Sequence, residues 1–156
     1  MSEPRNPFPS VDADRHAIWE MLVRRDTDFF LTSDWSLVAA DYVDDGFLGI
    51  DAGLSLDPAG WRPAYPTVEL YRDAAIAGRW DPTTFSEPLR PAWLACQSLS
   101  RIDIAGDAAL AHKHIDGQIA RADGPLVLQW RSVFNLRRVN GTWKIAGFTG
   151  YLPLGA

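Results

Sequence analysis

The spacing of apolar residues predicts a long helix near the start of the chain. Between Val11 and Phe30, apolar side chains recur three or four positions apart, as one face of an α-helix requires. Ser10 is placed to cap the first turn, and acidic residues follow where the helix dipole favours negative charge. The pattern therefore predicts a helix over residues 11–30.

Two further helices are predicted before residue 80. A second helix begins at residue 33 or 34 and ends at Gly46, and residues 47–50 follow as a short strand. Repeated glycine and proline make residues 51–66 a loop. A third helix covers residues 67–77, and a proline-rich loop leads into the last third of the chain.

The last third of the chain predicts four antiparallel strands joined by tight turns. Asn140-Gly141 and Asp123-Gly124 are strong hairpin dipeptides, and Gly106-Asp107 is a weaker one. With two-residue turns there, opposite residues can be assigned, and opposite residues share a face of the sheet. This register separates a mostly apolar face from a mostly polar one.

The apolar face of this sheet is predicted to look inward. Its rows run Ile104, Ala109, Arg138, Trp143; Ile102, Ala111, Leu136, Ile145; Ser100, Lys113, Phe134, Gly147; Ser98, Ile115, Ser132, Thr149; and Gly117, Trp130, Tyr151. A bent sheet preceded by helices should wrap its apolar face around them. We therefore expect one α+β domain over residues 1–156, a cone of three N-terminal helices packed in a strongly curved antiparallel sheet, open at the Trp130 end.

Composition narrows the class of protein. The 156 residues are 47% hydrophobic and 22% charged, ordinary values for a globular chain that can bury a core. A net charge of −5 disfavours a nucleic-acid partner, and the single cysteine, Cys96, favours a reducing compartment. The start of the chain lacks an apolar signal core, and no stretch is apolar enough to span a membrane. We expect a cytoplasmic protein without a membrane partner.

The order of these elements resembles the nuclear transport factor 2-like superfamily over nearly the whole chain. The resemblance rests on Ser33-Asp34-Trp35, which opens the second helix, and on the NGTWKIAGF sequence of residues 140–148 in the last hairpin. SnoaL-like polyketide cyclases, ketosteroid isomerases and scytalone dehydratase have similar cones. The resemblance implies a pocket for a small apolar ligand and proton-transfer chemistry that needs no cofactor or metal.

The catalytic residues of those proteins do not carry over as a set. The dehydratase carboxylate three positions before Asp34 falls on Leu31, and the isomerase tyrosine on the first helix falls on Asp26. The isomerase base falls on Ile50, one residue before Asp51. The resemblance therefore implies a scaffold and leaves the reaction to this chain's own residues.

One residue of the predicted interior is unlike the others. Lys113 lies between Ser100 and Phe134 on a face built otherwise of apolar side chains. A buried ammonium is costly unless it is paired or reaches water. Asp26, four positions after Leu22, lies on the helix side that should face the sheet. One hypothesis is that Asp26 and Lys113 form an acid–base or orienting pair in the pocket. The other, favoured because one lysine and one aspartate are a weak signal, is a lysine that extends to the rim and a solvated aspartate.

The remaining pocket residues are expected to provide hydrogen bonds and apolar walls. Polar side chains come from Ser100, Ser132, Thr149 and Tyr151, and the walls come from Trp19, Trp130 and Phe134. Four aromatic residues in the segments that should cover the mouth, Trp61, Tyr65, Tyr71 and Trp80, suggest a lid or an interface.

The histidine pair of the second long strand and Asp51 each have competing interpretations. His112 and His114 share a strand face, as metal ligands can, but the register puts that face outside. Surface or dimer-interface positions are favoured, with Asp116 paired to Arg131, and no metal is expected. Asp51 is either a third catalytic acid at the mouth or the cap of a loop turn.

Two functions from different classes remain open on these observations. The first is an enzyme that isomerises, dehydrates or cyclises a small, largely apolar carbonyl or hydroxyl compound without a cofactor. The second is a non-catalytic domain that holds such a ligand or only dimerises. The mixed apolar and charged outer face of the sheet suits a two-fold homodimer.

Overall fold

The first helix has a wide turn in its middle. The computed structural model describes residues 3–155. In it, α1 (Ala13–Trp19) continues through a π-helical turn (Glu20–Arg25) into α2 (Asp26–Thr32). Asp12 caps the helix by accepting from the Arg15 amide, so the cap lies two residues later than the sequence predicts. The helix otherwise covers the predicted segment.

The predicted second helix is wrong. Ser33 has a φ of 58° and ends α2, and only two 3₁₀ turns follow, Trp35–Leu37 and Ala39–Asp41. Trp35 packs its ring on Phe29 and Tyr42 instead of lying along a helix surface. Packing of these large side chains against the core therefore overrides the weak helical pattern of the segment.

The other elements comprise two short helices and six strands. The helices are α3 (Val68–Ala77) and α4 (Leu89–Ala95). The strands are β1 (Leu48–Asp51), β2 (Arg62–Tyr65), β3 (Gln97–Ala105), β4 (Ala108–Ile119), β5 (Leu126–Val139) and β6 (Thr142–Leu152). In the described residues no helix is long and apolar enough to cross a bilayer.

The strands form one curved sheet in the order β2-β1-β6-β5-β4-β3. All neighbours are antiparallel except β1 and β6, which are parallel. The α+β class and the curved sheet are confirmed. The prediction missed β2 and α4, both in proline-containing segments that it assigned to loops.

The predicted register keeps the correct faces along most of the sheet. Between β5 and β6 it is correct next to the Asn140-Gly141 turn, where Leu136 pairs with Ile145. Between β4 and β5 it is wrong by two residues, because residues 120–125 form a longer connection than a two-residue turn. A shift of two preserves the face of every side chain, so the inward row remains inward.

Three β-bulges change the register of the four long strands locally. One between Leu99 and Arg101 turns Leu99 into the core and leaves Ser100 exposed. The other two lie between β5 and β6, and they pair Phe134 with Phe148 and Val133 with Thr149. The predicted pairing of Phe134 with Gly147, and of Ser132 with Thr149, is therefore wrong.

The core consists of two apolar clusters. In the larger one, Ile18 and Leu22 of the helix pack with Ile102, Leu136 and Ile145 of the sheet. The smaller cluster centres on α4 and the facing ends of β4 and β5. The helix thus fills the closed end of the sheet, and α4 covers part of the other end.

Gly147 allows β1 and β6 to pair. A Cβ at this position would collide with the backbone oxygen of Leu48. We expect Gly147→Ala to lower the free energy of unfolding by about 2 kcal/mol, measured by urea denaturation. Gly150→Ala on the same strand is the control, since its Cβ would meet only ordinary contacts at 3.5 Å or more. Equal losses in the two variants would contradict this account of the strand pair.

Candidate functional site

A cavity of about 340 Å³ lies between the sheet and the helices, lined by members of both apolar clusters. Its polar groups come from the first helix, from α3, from β1 and β2, and from the long strands of the sheet. Most of its wall is aromatic or aliphatic. Its volume is at the lower end of small-molecule sites, which suits a ligand of one or two rings.

Asp26 and Lys113 meet in the wall of this cavity. The Lys113 Nζ lies 3.3 Å from the Asp26 Oδ2 and donates to the Leu22 backbone oxygen at 2.6 Å. The lysine side chain is 5% exposed and the aspartate side chain 28% exposed. The sequence-based expectation of a paired amine is therefore met in its geometry, and the lysine does not extend to the rim.

The π-helical turn lies next to this pair. Leu22 belongs to the turn, and Asp26 is the first residue after it. Residues 22 and 26 lie on the same side of the helix, so the lysine can engage a backbone oxygen and a carboxylate together. Such turns cost hydrogen-bond geometry and occur often at functional sites.

Aromatic rings form a large part of the cavity wall. Phe30 stacks on Trp93 with centroids 5.1 Å apart and meets the edge of Trp80 at 4.7 Å. On the sheet side, Trp130 lies 5.2 Å from Tyr151, and Phe148 packs against neighbouring aromatic rings. These surfaces suit a flat, apolar ligand, which can pack face or edge against them.

All four tyrosines of the chain lie at the cavity or directly behind it. Tyr65, Tyr71 and Tyr151 line the cavity, and Tyr42 packs behind Tyr71 with ring centroids 5.9 Å apart. Burial, followed by the negative charge of Asp26, raises the pKa of Tyr71 well above its usual range. Burial likewise raises the pKa of Tyr42 and of Tyr151. These three phenols stay protonated at neutral pH and can act as hydrogen-bond donors.

Asp51 has features of both predicted roles, since it caps a turn and also lines the cavity. Its carboxylate accepts from the Gly53 amide at 2.8 Å, as a turn cap does, and lies 3.1 Å from the Arg62 guanidinium. It also lines the cavity. With a turn amide and an arginine already bound, Asp51 is less available for proton transfer than Asp26.

Seven of the ten predicted site residues line the cavity: Asp26, Asp51, Lys113, Trp130, Ser132, Phe134 and Tyr151. The structure does not bring the other three there. Ser100 is exposed because of the β3 bulge, and Thr149 pairs with Val133 on the other face. Trp19 is buried beneath the Arg24 guanidinium, 5.0 Å from its ring, and belongs to the core.

Sequence reasoning missed α4 and the bulged part of β6. Trp93 enters the wall because α4 begins at Leu89, with Pro88 before it and Pro91 in its first turn. Prolines at these positions remove no helical hydrogen bond, so they are compatible with a helix, and the prediction of a loop was wrong. Tyr65, Tyr71 and Trp80, which were expected at the mouth, do line the cavity, whereas Trp61 does not.

The two histidines of β4 lie away from the cavity. His112 is half-buried with its Nε2 3.3 Å from Asp103, and His114 is exposed. Asp116 contacts Gln129 rather than Arg131, because the register puts His114 opposite Arg131. Among residues 3–155 no group of three His, Cys, Asp or Glu side chains is arranged to hold a metal ion.

The Asp26–Lys113 pair should be coupled in stability. We expect Lys113→Met to lower the free energy of unfolding by about 2 kcal/mol, because it leaves the Asp26 carboxylate without its counter-charge. Adding Asp26→Asn should recover part of that loss in urea denaturation. Lys144→Met is the control, since that lysine donates to the Ala40 oxygen at the surface. A double variant with purely additive losses would contradict the pairing.

The buried phenols should make the protein sensitive to alkali. Tyr42 and Tyr71 hold their protons in the folded state at a pH where the unfolded chain, with a tyrosine pKa of about 10, releases them. Stability should therefore be full below pH 10 and fall above it, and Tyr42→Phe should reduce the slope. Urea denaturation between pH 8 and pH 11.5 measures this. Ionisation of all four tyrosines near pH 10 in the folded protein, followed at 295 nm, would contradict it.

Comparison with known proteins identifies the fold but no activity. No protein-family model and no curated protein matches the sequence. A conserved protein from Planctomyces limnophilus has a similar structure, with a TM-score of 0.59 and 16% identity over 88% of this chain and 94% of that one. An NTF2-like (nuclear transport factor 2-like) protein of unknown function from Shewanella baltica gives 0.57 and 18%, covering 92% and 96%.

A third solved structure names the architecture directly. An NTF2-like protein with a cystatin-like fold from Novosphingobium aromaticivorans matches with a TM-score of 0.55 and 17% identity, over 94% of this chain and 86% of that one. At this level of identity the likeness concerns the fold alone. The chain has the NTF2-like, cystatin-like fold.

Proposed function

We propose that this protein binds a small, largely apolar carbonyl or hydroxyl compound in its cavity and moves a proton on it with Asp26, without an organic cofactor. The observation that supports this most is a carboxylate fixed by a buried ammonium in the wall of an aromatic cavity. An isomerase, dehydratase or cyclase needs such a base in an apolar surrounding.

Asp26 is the proton acceptor of the pair in this proposal. Lys113 already donates to two oxygens and is almost fully buried, so it holds the carboxylate in place and balances its charge. The contact uses Oδ2, and among the described residues no hydrogen bond engages Oδ1. That second oxygen is available to a ligand in the cavity.

The neutral phenols provide the complementary group. When Asp26 takes a proton from the carbon next to a carbonyl, the electron pair moves onto the carbonyl oxygen. A hydrogen-bond donor at that oxygen stabilises the charge, and the tyrosines of the wall are donors at neutral pH. Return of the proton to another carbon of a conjugated system completes an isomerisation, and its delivery to a hydroxyl group on the next carbon, which leaves as water while the electron pair returns from the oxygen, completes a dehydration.

A second candidate is a non-catalytic ligand-binding or dimerisation domain. It is favoured by the predominance of aromatic rings in the wall, which can hold a ligand without reacting with it. The outer sheet face also exposes Leu110 and Val127, which suits a homodimer through that face. Both candidates share the cavity and differ in whether the ligand is changed.

Hydrogen–deuterium exchange of a simple ketone separates the two candidates. We expect the protein to accelerate exchange of the C1 protons of 2-tetralone in D₂O, followed by proton NMR. Asp26→Asn should lower the rate by about a hundredfold or more, because the base is lost. Asp28→Asn is the matched control, since that residue lies on the same helix and pairs with Arg90 outside the cavity.

Two results would count against the catalytic proposal. Binding of 2-tetralone without exchange above the buffer rate would favour the binding domain. Equal rates in the Asp26→Asn and Asp28→Asn variants would assign the exchange to another group.

A further inference from the structure

Tyr151 has a backbone conformation that its side chain disfavours. Its φ is 55°, in the left-handed region where a bulky residue is strained. Most positions with a positive φ in the described chain are glycines, and Asn140 is one of the others. Local structure alone would therefore place glycine or asparagine at position 151.

Two contacts hold Tyr151 in this conformation. Its backbone oxygen accepts from the Leu54 amide at 2.7 Å, which ties the end of β6 to the loop after β1. Its ring packs on Trp130 with centroids 5.2 Å apart. The β-bulge between Arg131 and Val133 lies opposite this end of β6. The strained turn thus directs the ring over the cavity that both aromatic residues line.

The hydroxyl of Tyr151 is the phenol most available to a ligand. The residue is 45% exposed, and among the described residues its hydroxyl makes no hydrogen bond. Tyr71 lies deeper, with its phenol beside that of Tyr42. The Asp51 carboxylate lies near the Tyr151 phenol, so a ligand that already carries a negative charge would bind less well there than a neutral one.

We propose that Tyr151 is the specificity-determining residue of the cavity, and that it donates a hydrogen bond to the carbonyl oxygen of a neutral cyclic ketone packed against Trp130. This deepens the proposed function and rests on it for the position of the reacting carbon near Asp26. The backbone strain is retained because only an aromatic side chain at this position covers the ring of the ligand and reaches its oxygen.

Two substitutions separate the hydroxyl group from the strain. Tyr151→Phe should weaken binding of 2-tetralone about fivefold and leave binding of the hydrocarbon tetralin unchanged, measured by quenching of tryptophan fluorescence. Tyr151→Asn should raise the Tm by about 3 °C, because asparagine tolerates positive φ, and weaken binding of both compounds. Tyr42→Phe, which removes a phenol that lies behind the cavity wall, is the matched control and should leave the ratio of the two affinities unchanged.

An unchanged ratio of ketone to hydrocarbon affinity in Tyr151→Phe would overturn the inference, as would Tyr151→Asn with a higher Tm and intact binding. A lower Tm in Tyr151→Asn would show that packing of the ring on Trp130 outweighs the strain, so that folding alone would retain tyrosine, and would also overturn it. Failure of the proposed function is seen separately. If Tyr151→Phe selectively loses ketone binding but the protein does not exchange the C1 protons, the binding role of Tyr151 is supported and catalysis by Asp26 is excluded.

Discussion

The structure of the cavity depends on neutralising one buried ammonium group. Lys113 is 4% exposed on a sheet face that otherwise packs apolar side chains, and an uncompensated charge there would oppose folding. A backbone oxygen and a carboxylate of the helix compensate it together. This contact fixes how the helix lies against β4, and it leaves a carboxylate oriented toward the cavity.

The remaining polar groups of the cavity follow from the same low-dielectric surrounding. Burial keeps the phenols of Tyr71 and Tyr151 neutral, and the Lys113 ammonium lies 3.3 Å from the Asp26 carboxylate. A fixed base and neutral donors therefore share one apolar space. In the proposed function, the aromatic walls around them would exclude water from the ligand, which would strengthen each polar contact within the cavity.

The sequence predicted the inner face of the sheet well because that prediction depends on alternation. Leu136, Ile145 and Lys113 are buried as expected, since even a two-residue error between β4 and β5 leaves every side chain on its correct face. The candidate pair followed from two local rules, the strand alternation at Lys113 and the four-residue helix spacing from Leu22 to Asp26. The places where this reasoning failed, Ser100 and Thr149, lie at β-bulges, which change the alternation without a clear sequence signal.

By itself the sequence determined the four long strands of the curved sheet and the face that they bury, because periodicity and turn residues act over a few neighbouring positions. It offered the Asp26–Lys113 pair as one of two interpretations. Tertiary structure alone decided the 3₁₀ turns around Trp35, the contribution of Trp93 from α4 and the left-handed backbone of Tyr151. Each of these results from packing between segments distant in the chain, where the energy of contacts exceeds the preference of the local backbone.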